Sequence, residues 1–118
     1  MFLIKKFKFD AAHNLVSYKG KCERLHGHTY ELVIVLEGKP DEEGMIMDFV
    51  ELKDIVKKEI IDVLDHRYIN DIISQPTAEN IAIWVWNKLE GKLRGKNFSL
   101  YEVQIWETSD SGVIYRGG

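Results

Sequence analysis

His26 and His28 stand two residues apart at the head of an apolar run, Thr29-Tyr30-Glu31-Leu32-Val33-Ile34-Val35-Leu36, with Gly27 between them. In an extended chain alternate residues face the same side, so the two imidazoles project side by side. Gly27 carries no side chain, which lets the backbone approach a neighbour closely or bend. Two ring nitrogens held this way make half of a zinc site. His13 ends the apolar face of an earlier alternating segment, after Phe7, Phe9 and Ala11. If the two segments pair as an antiparallel hairpin, all three imidazoles converge. Three neutral nitrogens with an open fourth position form the catalytic zinc pattern; a fourth ligand, for which Cys22 is the candidate, would make the site structural. H-x-H is a weak pattern. Its alternative is three ordinary histidines, with His13 a core residue satisfied by one hydrogen bond.

Other groups could work beside such an ion. Cys22 is the single cysteine of the chain. A thiol becomes a base only when its pKa is lowered, and a divalent cation, Lys21 and Arg24 would all favour the thiolate; an inert loop cysteine is the alternative. Asp65 precedes His66, so a carboxylate could orient an imidazole for proton transfer. Equally, His66 could complement the C-terminal dipole of a helix. Glu107 ends a strand, where a carboxylate can accept two donors from a planar ring bearing an amino group beside a ring N–H. A surface charge is the plainer reading of it.

The elements that must position these residues follow from periodicity. Residues 2–13 alternate as a half-buried strand, and residues 28–37 form a second, with His28, Tyr30, Leu32, Ile34 and Leu36 on one face. Between them lies a loop from Asn14 to Leu25. Asp48 opens a helix, with Glu51 three residues on in a capping-box-like arrangement, and Leu52, Ile55, Val56, Ile60 and Val63 recur at helical spacing. Thr77 caps a second helix that carries Ile81, Trp84, Val85 and Leu89 on one side. Tyr101, Val103, Ile105 and Glu107 share a face of a third strand, and Val113-Ile114-Tyr115 is the last. The order β-β-α-α-β-β predicts an α+β fold: a four-stranded antiparallel sheet with two helices on one face. The second sheet face keeps valines and aromatics, and the edges stay open, which points to a partner subunit.

Composition narrows the classes further. The 118 residues suit a single domain, 1–118, with 45% hydrophobic and 30% charged residues. A net charge of −3 gives no reason to propose nucleic acid as a partner, and no apolar run approaches a membrane span. No signal-peptide organisation appears at the N-terminus, and one cysteine forms no internal disulfide. Both features fit a cytoplasmic protein.

Taken together, Phe9-x-x-Ala12-His13, Cys22-x3-His26-Gly27-His28, Leu64-Asp65-His66, Pro76-Thr77-x-Glu79-Asn80 and Trp106-Glu107-Thr108 resemble the pyruvoyltetrahydropterin synthase / carboxytetrahydropterin synthase family, in order and over nearly the whole chain. The resemblance implies the tunnelling fold and a homo-oligomer, a hexamer made of two trimers with sites at subunit interfaces. It implies Zn2+ held by His13, His26 and His28, with Cys22 as the proton-abstracting thiol and Asp65 and His66 as a proton-relay pair. Glu107 would anchor a pterin ring, and Thr77 and Glu79 would add substrate contacts. Three residues separate Cys22 from His26, as in the carboxytetrahydropterin synthase branch of queuosine and deazapurine synthesis. That branch implies a pterin triphosphate substrate, with acetaldehyde and triphosphate released. A pyruvoyltetrahydropterin synthase and a non-catalytic zinc- or pterin-binding protein are the alternatives.

Overall fold

The computed structural model describes residues 1–16 and 24–118. Cys22, Lys19 and Lys21 lie outside the described residues. Strands β1 (Phe2–His13) and β2 (His26–Gly38) pair antiparallel in unbroken register from Phe2↔Glu37 to His13↔His26. Helix α1 (Phe49–Val56) runs through a π-helical segment (Lys57–Ile61) into α2 (Asp62–Leu64). Then come β3 (Arg67–Tyr68), α3 (Ala78–Leu89), β4 (Phe98–Thr108) and β5 (Ser111–Tyr115).

The sheet has five strands in the order β3-β1-β2-β4-β5, and it is mixed. This corrects the expected four-stranded antiparallel sheet. The chain leaving α2 returns to the open edge of β1 and pairs with it in parallel, through Ala11↔Arg67 and Ala12↔Tyr68. Two residues are too few for alternation to show in a sequence.

The helices start where their caps predict. The Asp48 side chain accepts from Val50 N at 2.8 Å, and Thr77 Oγ1 accepts from Asn80 N at 3.1 Å. Leu52, Val56, Ile60 and Leu64 are fully buried, in steps of four. Three such steps overshoot a 3.6-residue turn by about 120° in all. The π-helical segment between Val56 and Asp62 takes up part of that drift. It also explains why Leu64 is buried in the core, whereas Val63, expected there, is half-buried. These residues, with Ile81, Ala82, Val85 and Leu89 of α3, pack on Phe9, Tyr30, Leu32, Ile34, Val103 and Ile105 of the sheet.

Two bulges interrupt β4. Val35 pairs with Glu102 but Leu36 with Leu100, so Tyr101 is an extra residue. Tyr101 therefore leaves the face it was expected to share with Val103, and Leu100 takes the buried place. On the other edge Trp106 pairs with Gly112 but Thr108 with Ser111, so Glu107 is extra there. Gly112 is required at its position, since a Cβ would lie 2.5 Å from the Trp106 indole. On the helix-free face, Val33 and Val35 are buried while Phe2, Ile4 and Ile114 are about half exposed (51%, 53% and 54%). No described helix is long and apolar enough to cross a membrane.

Candidate metal centre

Pairing of β1 with β2 brings the histidines together. His13 faces His26 directly, and His28 faces Ala11 two rungs inward, on the same side of the sheet. One ligand nitrogen from each of His13, His26 and His28 lies within 4.8 Å of the others. His13 is buried and the other two are half-buried.

Hydrogen bonds fix how the rings are presented. His13 Nδ1–H donates to the Pro76 carbonyl at 2.7 Å, and His26 Nδ1–H donates to the Arg24 carbonyl at 2.9 Å. Each bond places the proton on Nδ1 and the lone pair on Nε2. The two Nε2 atoms stand 2.9 Å apart. Two lone pairs that close repel unless a proton or cation lies between them. Glu107 Oε1 approaches His13 Nε2 at 3.6 Å, so a carboxylate faces the same lone pair. Imidazoles tied through Nδ1 to carbonyls, with Nε2 atoms converging, are the donor set of a zinc-type ion. The residues present fit that metal, and among the expected ligands His13, His26 and His28 are all gathered.

Glu107 reaches the site because of its bulge. Glu31↔Trp106 is the last β2–β4 pair, and one further step sets Glu107 opposite Tyr30, on the helix-facing side. Released from β5, the carboxylate turns toward His13.

Asp65 and His66 form a second group. Asp65 Oδ2 lies 3.0 Å from His66 Nδ1, and Asp65 Oδ1 accepts the Asp10 backbone N–H at 2.9 Å. That backbone bond, then the His66 contacts, hold the Asp65 carboxyl below the usual carboxylate range. His66 adopts φ +57°, in the left-handed region, and its N–H donates to the Asp10 carbonyl at 2.6 Å. His66 lines a groove of about 590 Å³ with Asp10, Gly27, His28, Thr29, Arg67 and Tyr68. Alternation points the side chains of Asp10 and Thr29 away from the face that carries the three histidines. Asp65 and His66 thus group with Asp10, as a cluster distinct from that of His13, His26 and His28. A Cβ at Gly27 would sit 3.5 Å from the Ala11 carbonyl, an ordinary contact, so the close approach expected there is not needed.

Thr77 caps α3 and Glu79 is exposed in its first turn. Their segment matters through Pro76, whose carbonyl orients His13. Sequence reasoning missed that role, and also the polar ties behind it. Asn70 brackets Asn14 through Asn14 N–H to Oδ1 (3.0 Å) and Nδ2 to the Asn14 carbonyl (2.8 Å). Gln75 Oε1 accepts from Val16 N at 2.7 Å. Backbone acceptors and amide brackets leave no periodic trace by which a sequence could reveal them.

The 6-pyruvoyl tetrahydropterin synthase family model matches residues 2–118. The chain belongs to the 6-pyruvoyl tetrahydropterin synthase family. It is similar to the dihydroneopterin monophosphate aldolase of Pyrococcus furiosus, at 39% identity over 111 residues, 94% of this chain and 93% of that protein. It is similar to the 6-carboxy-5,6,7,8-tetrahydropterin synthase of Haemophilus influenzae, at 35% over 143 residues, 98% and 99% of the two chains. The structure of the Caenorhabditis elegans 6-pyruvoyl tetrahydropterin synthase superposes with a TM-score of 0.86 at 30% identity, covering 100% of this chain and 96% of that one. Three relatives of one family thus carry three different activities. The shared ground is a pterin-converting lyase with a metal site of the family type at His13, His26 and His28.

Proposed function

We propose that the protein is a zinc-dependent carboxytetrahydropterin synthase. It would convert 7,8-dihydroneopterin triphosphate and water to 6-carboxy-5,6,7,8-tetrahydropterin, acetaldehyde and triphosphate. The observation that carries this reading is the Glu107 carboxylate 3.6 Å from a metal-facing His13 nitrogen. A ring held by Glu107 through its amino group and adjacent N–H would lay its side chain over the ion. Such positioning is worth several kcal/mol of a barrier.

Zinc held by His13, His26 and His28 would supply Lewis acidity, polarising side-chain oxygens and acidifying the neighbouring C–H. Cys22, as thiolate, would accept that proton. His66, oriented by Asp65, would move the protons that follow. The separation of Asp65 and His66 from the triad supports a site shared between subunits, as in a hexamer of two trimers, with the relay pair, Thr77 and Glu79 serving a neighbour. The triphosphate would need cations, for which Lys19, Lys21 and Arg24 of the same loop are the candidates. The carboxy branch rests on the three-residue gap between Cys22 and His26.

The test is product analysis of the zinc-loaded protein with dihydroneopterin triphosphate. Acetaldehyde with carboxytetrahydropterin supports the proposal. Retention of all side-chain carbons would make it a pyruvoyltetrahydropterin synthase, and cleavage of dihydroneopterin monophosphate alone would align it with the Pyrococcus relative. No turnover of either substrate would leave a binding protein. Cys22→Ala with unchanged turnover would remove the thiol from the mechanism.

A further inference from the structure

Tyr30 is a buried polar group that the roles above leave unused. Its side chain is fully buried, and its hydroxyl has no hydrogen-bond partner among the described residues. Burying a hydroxyl strips it of water's hydrogen bonds, so an unpaired one calls for a reason. The ring is tightly placed: stacked on Phe9 with centroids 5.0 Å apart, and edge-on to His13 at 5.9 Å and His28 at 5.4 Å.

Glu31↔Trp106 is the last β2–β4 pair, and continuing that register by one step would set Glu107 opposite Tyr30. Opposed residues of an antiparallel pair have Cβ atoms about 4.5–5.5 Å apart, within reach of a phenol and a carboxylate. The phenol has no hydrogen-bond partner among the described residues, and the Glu107 carboxylate approaches the same His13 ring that Tyr30 meets edge-on. The acceptor is also a hazard to the site. With Oε1 3.6 Å from His13 Nε2, Glu107 is close enough to fall onto an ion held by that nitrogen. It would then close the position that catalysis by a three-histidine site requires open. A carboxylate offers about four lone-pair sites, so one bond from a phenol leaves room for paired donors from a planar ring.

We propose that Tyr30 is a positioning residue whose hydroxyl donates to Glu107 in the metal-loaded protein, holding that carboxylate off the ion and available to ring N–H donors. The proposal rests on His13, His26 and His28 being metal ligands. It specifies what keeps the fourth position open, which neither the triad nor the family assignment does.

The test uses Co2+ as a visible probe of the site and azide as a small anion that enters an open position. Wild type takes Co2+ and shows an azide-dependent change in its absorption bands. Tyr30→Phe, which keeps the ring and its packing, binds Co2+ but takes azide about tenfold more weakly or not at all, because Glu107 ligates. Tyr30→Phe combined with Glu107→Gln recovers azide binding. A purely structural tyrosine would not give that recovery. Unchanged azide affinity in Tyr30→Phe overturns the proposal, and so does failure of the double variant to recover. Failure of the wild type to take Co2+ would instead overturn the metal reading itself.

Discussion

Replacing His26 by alanine separates metal binding from folding. His26 and His13 make the last rung of the β1–β2 pairing, with Nε2 atoms 2.9 Å apart. His26 is half-buried, and its Nδ1 bond runs to an exposed carbonyl, so its truncation leaves the core intact and relieves a nitrogen–nitrogen repulsion. The metal-free variant should stay within about 0.5 kcal/mol of wild type. The loaded protein behaves differently. Free zinc at a hundred times Kd adds about 2.7 kcal/mol to the folded state. For a chain of this length that is about 10 °C in Tm. His26→Ala should lose that whole increment. His13→Ala gives the contrast, because His13 is 2% exposed and bonds the Pro76 carbonyl at 2.7 Å. Removing it opens a cavity beside Tyr30 and strands a buried carbonyl, costing about 2–4 kcal/mol even without metal. Thermal unfolding with and without chelator, together with zinc content by elemental analysis, reads both variants. The reasoning fails if metal-free His26→Ala unfolds, or if zinc still raises its Tm by the wild-type amount.

Thr77→Ala should cost about 1 kcal/mol by removing the N-cap of α3, and urea denaturation would show it as a lower midpoint with an unchanged slope. Ile60→Ala should cost about 2–5 kcal/mol, since Ile60 is fully buried where the π-helical segment meets the core. A loss under 1 kcal/mol would mean that the site collapses around the change. Asp65 titrates below the usual carboxylate range, chiefly through the Asp10 backbone bond. Its folded pKa lies below its unfolded one, so its stabilisation is present above the unfolded value and vanishes as pH falls through the folded one. Tm measured from neutral pH into acid should therefore fall less steeply for Asp65→Asn than for wild type.

Much of this architecture was legible because it follows from period and caps. Alternation in residues 2–13 and 28–37 placed His13, His26 and His28 on one face, and the antiparallel register gathered them. Asp48 and Thr77 marked the helix starts through side-chain chemistry that acts within four residues. What escaped was non-local or irregular. The parallel strand β3 is two residues long, and its pairing depends on where α2 delivers the chain. The bulges at Tyr101 and Glu107 add one residue to a strand without changing its composition. Glu107 was named as a ring anchor, yet nothing in its neighbours foretold that a bulge would free it to reach His13. Asp65 and His66 were read as a pair from their adjacency, but their docking beside Asp10 depends on where α2 delivers the chain.

Because His13 and His26 are the terminal rung of the ladder, an ion shared between them acts as a clasp on the open end of the hairpin. The outermost amides of β1 and β2 sit where a two-stranded ribbon would ordinarily fray. Cross-linking the side chains there ties catalytic competence to the zippering of that ribbon. A slip of one residue would throw one imidazole to the far side of the sheet and release the ion. Hydrogen exchange at Ala12, His13 and His28 should thus slow on metal loading, while the distant end near Phe2 and Glu37 keeps its rate.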